Sequence, residues 1–118
     1  LKRRGVRILG GGDYGFGLTP HGQNARDLDH LVRYCHFTPM EAILSMTRDG
    51  GAAMDLSHEL GQIREGYLAD IVLVSGDPLM DTRVLLDASQ RLVVMKDGKI
   101  YRSLSFSGSH PVKAGSEA

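Results

Sequence analysis

The sequence predicts an α/β fold. Three observations carry that expectation. A short apolar run at residues 6–9 is stopped by glycines and one carboxylate. Two helical segments lie between residues 24 and 49. A β-branched run and an Asp-Gly hairpin lie between residues 69 and 101.

The first run leads into Gly10-Gly11-Gly12-Asp13-Tyr14-Gly15. It is too short for a helix and ends on glycine, so residues 6–10 read as a buried strand with Asp13 just past its C-terminal end. In barrels and open α/β sheets that end of a strand is where active sites are built. Residues 11–23 form a glycine-rich loop carrying Pro20 and His21. Asn24 reads as the N-cap of the first helix, which is expected to end near His36. Leu28, Leu31, Val32 and Cys35 share one face, with Arg26, Asp27, Asp29 and Arg33 mostly on the other. Thr38-Pro39-Met40-Glu41 is a capping box with proline at the first helical position, where its missing N–H costs nothing. That helix weakens at Asp49-Gly50-Gly51, and a short helical piece is expected at residues 52–56. Met40, Met46 and Met54 read as core fillers.

Beyond His58, residues 61–66 read as a brief extended segment and a turn. The run Ala69-Asp70-Ile71-Val72-Leu73-Val74 reads as a buried strand. Residues 84–88 read as one or two helical turns. Asp97-Gly98 between two apolar runs predicts a hairpin with positive φ at both turn residues. Residues 103–118 lack periodicity and are expected to form a flexible tail.

Composition narrows the function. Over 118 residues, 14 basic and 14 acidic side chains balance, so no nucleic-acid surface is indicated. Cys35 is the single cysteine, which removes an intrachain disulfide and a cysteine-based zinc site and makes a cytoplasmic setting the expectation. No apolar run approaches the roughly 20 residues that span a bilayer. The opening Leu-Lys-Arg-Arg-Gly has no apolar region behind its charges, so no signal peptide is expected. The chain starts on Leu1, almost directly at a strand, and is expected to be a piece of a longer protein.

Several residues are candidates for chemistry. Gly10-x-Gly12-x-x-Gly15 matches a dinucleotide fingerprint in form, but that mechanism needs a helix to open within the motif, and none is expected before Asn24. Asp13 has two readings: a metal ligand and base, or a turn aspartate bonding its own backbone. One carboxylate cannot make a metal site, so partners must come from elsewhere. His30, His36, His58 and His110 read as solvated surface. His21 shares a glycine loop with Asp13 and is a candidate for facing substrate, with Tyr14 and Asn24 as weaker ones.

The order of these pieces resembles a family. A strand ending in Gly-Gly-Gly-Asp13 is followed by Pro20-His21-Gly22, Asn24-Ala25-Arg26-Asp27-Leu28 and Thr38-Pro39-Met40-Glu41-Ala42. Then come Gly61-Gln62-Ile63-Arg64-Glu65-Gly66-Tyr67-Leu68-Ala69-Asp70-Ile71-Val72, Gly76-Asp77-Pro78-Leu79 and Val94-Met95-Lys96-Asp97-Gly98-Lys99. This resembles the C-terminal end of the amidohydrolase superfamily, in its imidazolonepropionase and prolidase-like branch. The resemblance covers residues 4–102 and implies a metal-dependent (β/α)8 TIM barrel with a small β-sandwich beside it. Residues 1–60 would be the end of the barrel, and 61–102 the C-terminal part of the sandwich. Asp13 would match the acid after the eighth barrel strand, which binds metal and takes the proton of the attacking water. Gly12 departs from the pattern, since relatives often carry Thr or Ser there. The first seven barrel strands, with the His-x-His pair, the lysine or other bridging group and the two later histidines, are not in this sequence. The implied function is hydrolysis of an amide or peptide C–N bond with a divalent metal, zinc by expectation, as one or two ions. The implied partners are a small or peptide-like substrate and further copies of the chain, with no nucleic acid or membrane. The rival is a non-catalytic α/β fragment that packs against something.

Overall fold

The computed structural model describes residues 4–104. Helices α1 (Arg26–Cys35), α2 (Pro39–Met46) and α3 (Arg48–Ala53) come first. Strands β1 (Ile71–Val74), β2 (Arg91–Lys96) and β3 (Lys99–Ser103) follow, with 3₁₀ turns Thr82–Leu85 and Ala88–Gln90 between β1 and β2. The strands form one antiparallel sheet in the order β1-β2-β3. The chain is thus a mixed α/β structure, as expected.

The buried cluster is Leu28 and Leu31 of α1 with Ala42 of α2, and Ile8, Val32, Phe37, Met46 and Leu85 pack around it. The Cα radius of gyration is 16.0 Å, against about 13 Å for a compact domain of 100 residues. The helices and the sheet do not close on each other: an apolar cavity of about 420 Å³ lies between them, lined by Leu28, Ile43, Met46, Ile71, Val74 and Leu85.

Residues 6–10 form no strand, contrary to the sequence reading. A strand is defined by ladder hydrogen bonds to a neighbour, and among the described residues none lies alongside to supply them. The segment crosses the helices instead, with Ile8 on the core cluster while Val6 and Leu9 are exposed. Gly10 makes the crossing close: a Cβ there would sit 2.9 Å from Met46 Sδ and 3.0 Å from Asp27 Cβ.

Asn24 is not the cap of α1. The helix begins after Ala25 without a side-chain cap. The backbone carbonyls of Gln23, Asn24 and Ala25 already accept from the N–H groups of Arg26, Asp27 and Leu28, at 2.8, 3.2 and 3.2 Å, and leave that side chain no role. Cys35 is exposed rather than on the packed face, and Asp27 is buried rather than on the polar one. The helix ends at His36, in the left-handed conformation (φ 56°). The capping box of α2 is complete: Thr38 Oγ1 accepts from Glu41 N–H at 3.2 Å, and Glu41 Oε2 accepts from Thr38 N–H at 2.8 Å.

The break after α2 falls at Thr47, earlier than the glycines. Thr47 Oγ1 donates back to the Ile43 carbonyl at 2.8 Å, a bond that competes with helix continuation. Gly50 and Gly51 lie inside α3, which ends at Ala53, before most of the expected 52–56 piece. Gly51 is buried, and a Cβ on it would lie 2.9 Å from the Leu60 carbonyl oxygen. A Cβ on Gly61 (φ +86°) would lie 2.5 Å from the Thr47 carbonyl oxygen. These glycines let the chain at 60–61 press onto the helices. Of the three expected core methionines, Met46 packs on the cluster, whereas Met40 and Met54 are exposed.

Residues 64–67 make the expected turn, with Gly66 at φ +82° and Tyr67 N–H donating to the Arg64 carbonyl at 3.1 Å. β1 starts at Ile71 and is less buried than its composition suggested, since Val72 and Leu73 are about half exposed. The hairpin is as expected: Lys96 pairs Lys99, and Asp97 and Gly98 sit at φ 49° and 72°. Ser103 closes β3 and Leu104 N–H donates to the Leu92 carbonyl at 2.8 Å, so the first two residues of the expected tail are held against β2 instead. The remainder of that tail, with His110, lies outside the described residues.

Asp70 fastens the hairpin to the start of β1. Its Oδ1 accepts from Asp97 N–H at 2.8 Å, its Oδ2 from Lys96 Nζ at 2.6 Å, and the Ala69 carbonyl accepts from Gly98 N–H at 3.2 Å. Hydrogen bonding from Lys96, then from the Asp97 N–H, holds the Asp70 carboxyl below the ordinary carboxylate range.

Two predictions follow from the hairpin. A Cβ at Gly98 meets nothing within 4 Å, so Gly98→Val tests backbone conformation alone. It should destabilise the intact protein by about 1–3 kcal/mol, read from its urea midpoint; an unmoved midpoint refutes the turn. Asp70 has a folded pKa below its unfolded one, so its contribution is present above about pH 4 and is lost as pH falls through the folded value. Asp70→Asn should therefore lower stability at neutral pH and flatten the acid limb of the stability–pH curve.

Candidate functional site

The glycine loop after residue 10 is held by its own backbone. Gly15 N–H donates to the Thr19 carbonyl at 2.7 Å and Thr19 N–H to the Phe16 carbonyl at 3.0 Å, which closes a small bridged turn. Thr19 Oγ1 donates to the backbone carbonyl of Asp13 at 2.9 Å. Asp13 itself sits at φ 45°, in the left-handed region that aspartate tolerates better than most residues.

The Asp13 side chain is exposed. A turn aspartate would spend its carboxylate on a backbone N–H about two residues on. Here Gly15 N–H is taken by Thr19, and among the described residues no hydrogen bond reaches the Asp13 carboxylate. The carboxylate is thus presented outward on a constrained backbone, able to accept a proton or donate an oxygen to a cation.

His21 is also exposed and lies over the same turn: a Cβ on Gly15 (φ +123°) would be 3.0 Å from His21 Cε1. Tyr14 turns the other way, toward α1. Its hydroxyl donates to Asp27 Oδ1 at 2.9 Å. Burial first, and then the bond to Asp27 and its charge, raise the Tyr14 phenol above its ordinary value. Asn24 is exposed before α1, and its backbone carbonyl receives Asp27 N–H. The loop therefore leaves Asp13 and His21 exposed, while Tyr14 turns inward and Asn24 stands at the entry to the helix.

Asp27 is the residue that sequence reasoning missed. It is 8 % exposed. A signal was present, because Asp27 and Leu31 are one helical turn apart and so share a face. Gly12 fits around this pair: a Cβ there would lie 2.7 Å from Tyr14 Cε2 and 2.8 Å from Asp27 Oδ1. Among the described residues, the other histidines behave as surface groups. His30 and His36 are exposed, the His30 ring lies 5.7 Å from that of Tyr34, and His58 pairs with Glu59 at 3.2 Å.

Among the described residues no cluster of three or more His, Cys, Asp or Glu could hold a metal ion. Asp13 fits as one ligand of a set completed by other side chains, and not as a centre by itself. The dinucleotide alternative lacks its helix, since α1 opens only at Arg26, well past Gly15. Among the described residues no helix is long and apolar enough to cross a membrane.

Residues 1–101 match the sequence profile of the Amidohydrolase family. The chain is 33% identical over 101 residues to ochratoxinase from Aspergillus niger, an alignment covering 85% of this chain and 20% of that protein. It superposes on a crystal structure of a Xaa-Pro dipeptidase with methionine bound in its active site, with TM-score 0.76, 33% identity, and coverage of 86% of this chain and 24% of that one. A Bifidobacterium longum protein assigned as a prolidase gives TM-score 0.80 at 28% identity, over 89% of this chain and 26% of the other. The chain thus spans about a fifth of the curated relative and about a quarter of these solved structures.

Proposed function

The chain belongs to the amidohydrolase family, and we propose that it is the C-terminal portion of a metal-dependent amidohydrolase that cleaves an amide or peptide C–N bond. That its relatives are hydrolases, an ochratoxinase and a dipeptidase, supports the reaction class. In this reading residues 1–60 complete a (β/α)8 barrel, and 61–102 belong to a small β-sandwich. The order of glycine loop, helices and hairpin supports that division.

The observation that carries the proposal is the Asp13 carboxylate, unengaged among the described residues and held on a left-handed backbone. Asp13 would offer one oxygen to a divalent cation, zinc by expectation and one or two ions, with most ligands supplied by side chains outside this chain. When bound, such a cation lowers the pKa of water toward neutrality. Asp13 would orient the attacking water, accept its proton, and return that proton to the leaving nitrogen. His21, beside the same turn, would face the substrate, a small or peptide-like molecule; Asn24 would border that approach, whereas Tyr14 is turned inward to Asp27. The enzyme would work in the cytoplasm, as an assembly of like chains.

Asp13→Asn in the full-length protein tests this. Asn keeps the size and one carbonyl oxygen but cannot take the proton. The expected result is a fall in kcat of at least about a hundredfold, a smaller change in KM, and weaker retention of metal on dialysis. A folded variant with kcat within about threefold of the parent would remove the general base from the reading.

A further inference from the structure

We infer that Asp27 is a positioning residue for Asp13, acting through the Tyr14 hydroxyl and the space left by Gly12; the inference rests on the role proposed for Asp13. Asp27 is 8 % exposed on the packed side of α1, and among the described residues it forms no ion pair. Carboxylates are rarely buried without a partner. This one is satisfied by the Tyr14 hydroxyl, 2.9 Å from Oδ1, in a hydrogen bond strengthened by its charge.

The bond brackets Asp13 in the chain. Gly10 approaches Asp27 Cβ, Gly12 lies against both Asp27 Oδ1 and the Tyr14 ring, and Tyr14 is tied down directly. Residues 10–14 therefore wrap over the Asp27 side chain, with Asp13 at the outer point of the wrap. Asp13 sits at φ 45°, in a left-handed conformation that its surroundings fix. Two restraints do so here: Thr19 Oγ1 on the Asp13 carbonyl, and Tyr14 held by Asp27 one residue on. Gly12 is explained by the same contact, since any Cβ would push into the Tyr14–Asp27 pair.

The test compares four variants of the full-length enzyme: Tyr14→Phe, Asp27→Leu, Asp27→Asn and Asp13→Asn. Each is assayed for kcat, KM, melting temperature, and zinc affinity by titration of metal-free protein. Groups that orient a metal ligand typically cost about 10–100-fold in affinity or activity when removed. Tyr14→Phe and Asp27→Leu should lower kcat and zinc affinity within that range, with KM nearly unchanged. Asp27→Asn keeps an acceptor oxygen for the Tyr14 hydroxyl and should restore most of both. Tyr14→Phe removes one oxygen atom and keeps the inference testable if Asp27→Leu does not fold.

Parental kcat and zinc affinity in Tyr14→Phe overturn the inference. So does a rise in KM alone, which would make Tyr14 a substrate contact. A lowered melting temperature with unchanged kcat and zinc affinity would assign the pair to stability only, and also overturns it. Asp13→Asn separates the two ideas. If it retains turnover, the role of Asp13 falls and takes this inference with it. If it collapses while Tyr14→Phe does not, the role of Asp13 stands and the inference alone fails.

Discussion

The contact of Leu28 and Leu31 with Ala42 is the interaction on which the other parts lean. It sets α1 against α2, and the two helices together make the surface that residues 8–12 cross. Burying a leucine side chain is worth roughly 1.5–3 kcal/mol, so a cluster of three small and medium residues is a slender core. Its size explains other features. Val72 and Leu73 stay about half exposed, and an apolar cavity separates helices from sheet. The shortfall fits a chain that spans about a quarter of the structures it superposes on.

Elements stabilised by their own neighbours were legible in the sequence. The Thr38–Glu41 capping box needs only residues three apart, and the Asp97-Gly98 turn needs only two residues that accept positive φ. Elements that depend on distant groups were not legible. Residues 6–10 have the composition of a strand, but pairing is a property of two segments, and no partner lies beside them among the described residues. Asn24 looked like a cap because nothing in its identity reveals that three backbone carbonyls already serve the first helical N–H groups. The glycines of α3 looked like a stop, yet Gly51 answers to the backbone of Leu60, which no local pattern reports.

The loop shows the same division. Asp13 and His21 were visible as candidates because polar residues among glycines are unusual enough to notice, and the fold brings both to the turn at Gly15. Asp27 was sorted with the solvated charges of its helix. Its neighbours Asp29 and Arg33 do pair on the outside at 2.8 Å, and only the tyrosine thirteen residues earlier reveals that Asp27 faces inward. A charged residue one turn from a buried leucine is therefore worth testing against every donor the preceding loop can deliver.

The adjacent glycines of α3 are not equivalent. A Cβ on Gly50 would rest 3.9 Å from the Ser45 carbonyl oxygen, an ordinary contact, whereas one on Gly51 would press into Leu60. Under mutational drift Gly50 is free to become alanine, with a gain in helix propensity of about 1 kcal/mol. Gly51 and Gly61 are not free in this way. They face each other's segments, and a side chain on either would drive residues 60–61 away from the helices. Among diverged copies of this gene, position 50 should wander, while 51 and 61 should keep or change their character together, like two teeth of one rivet.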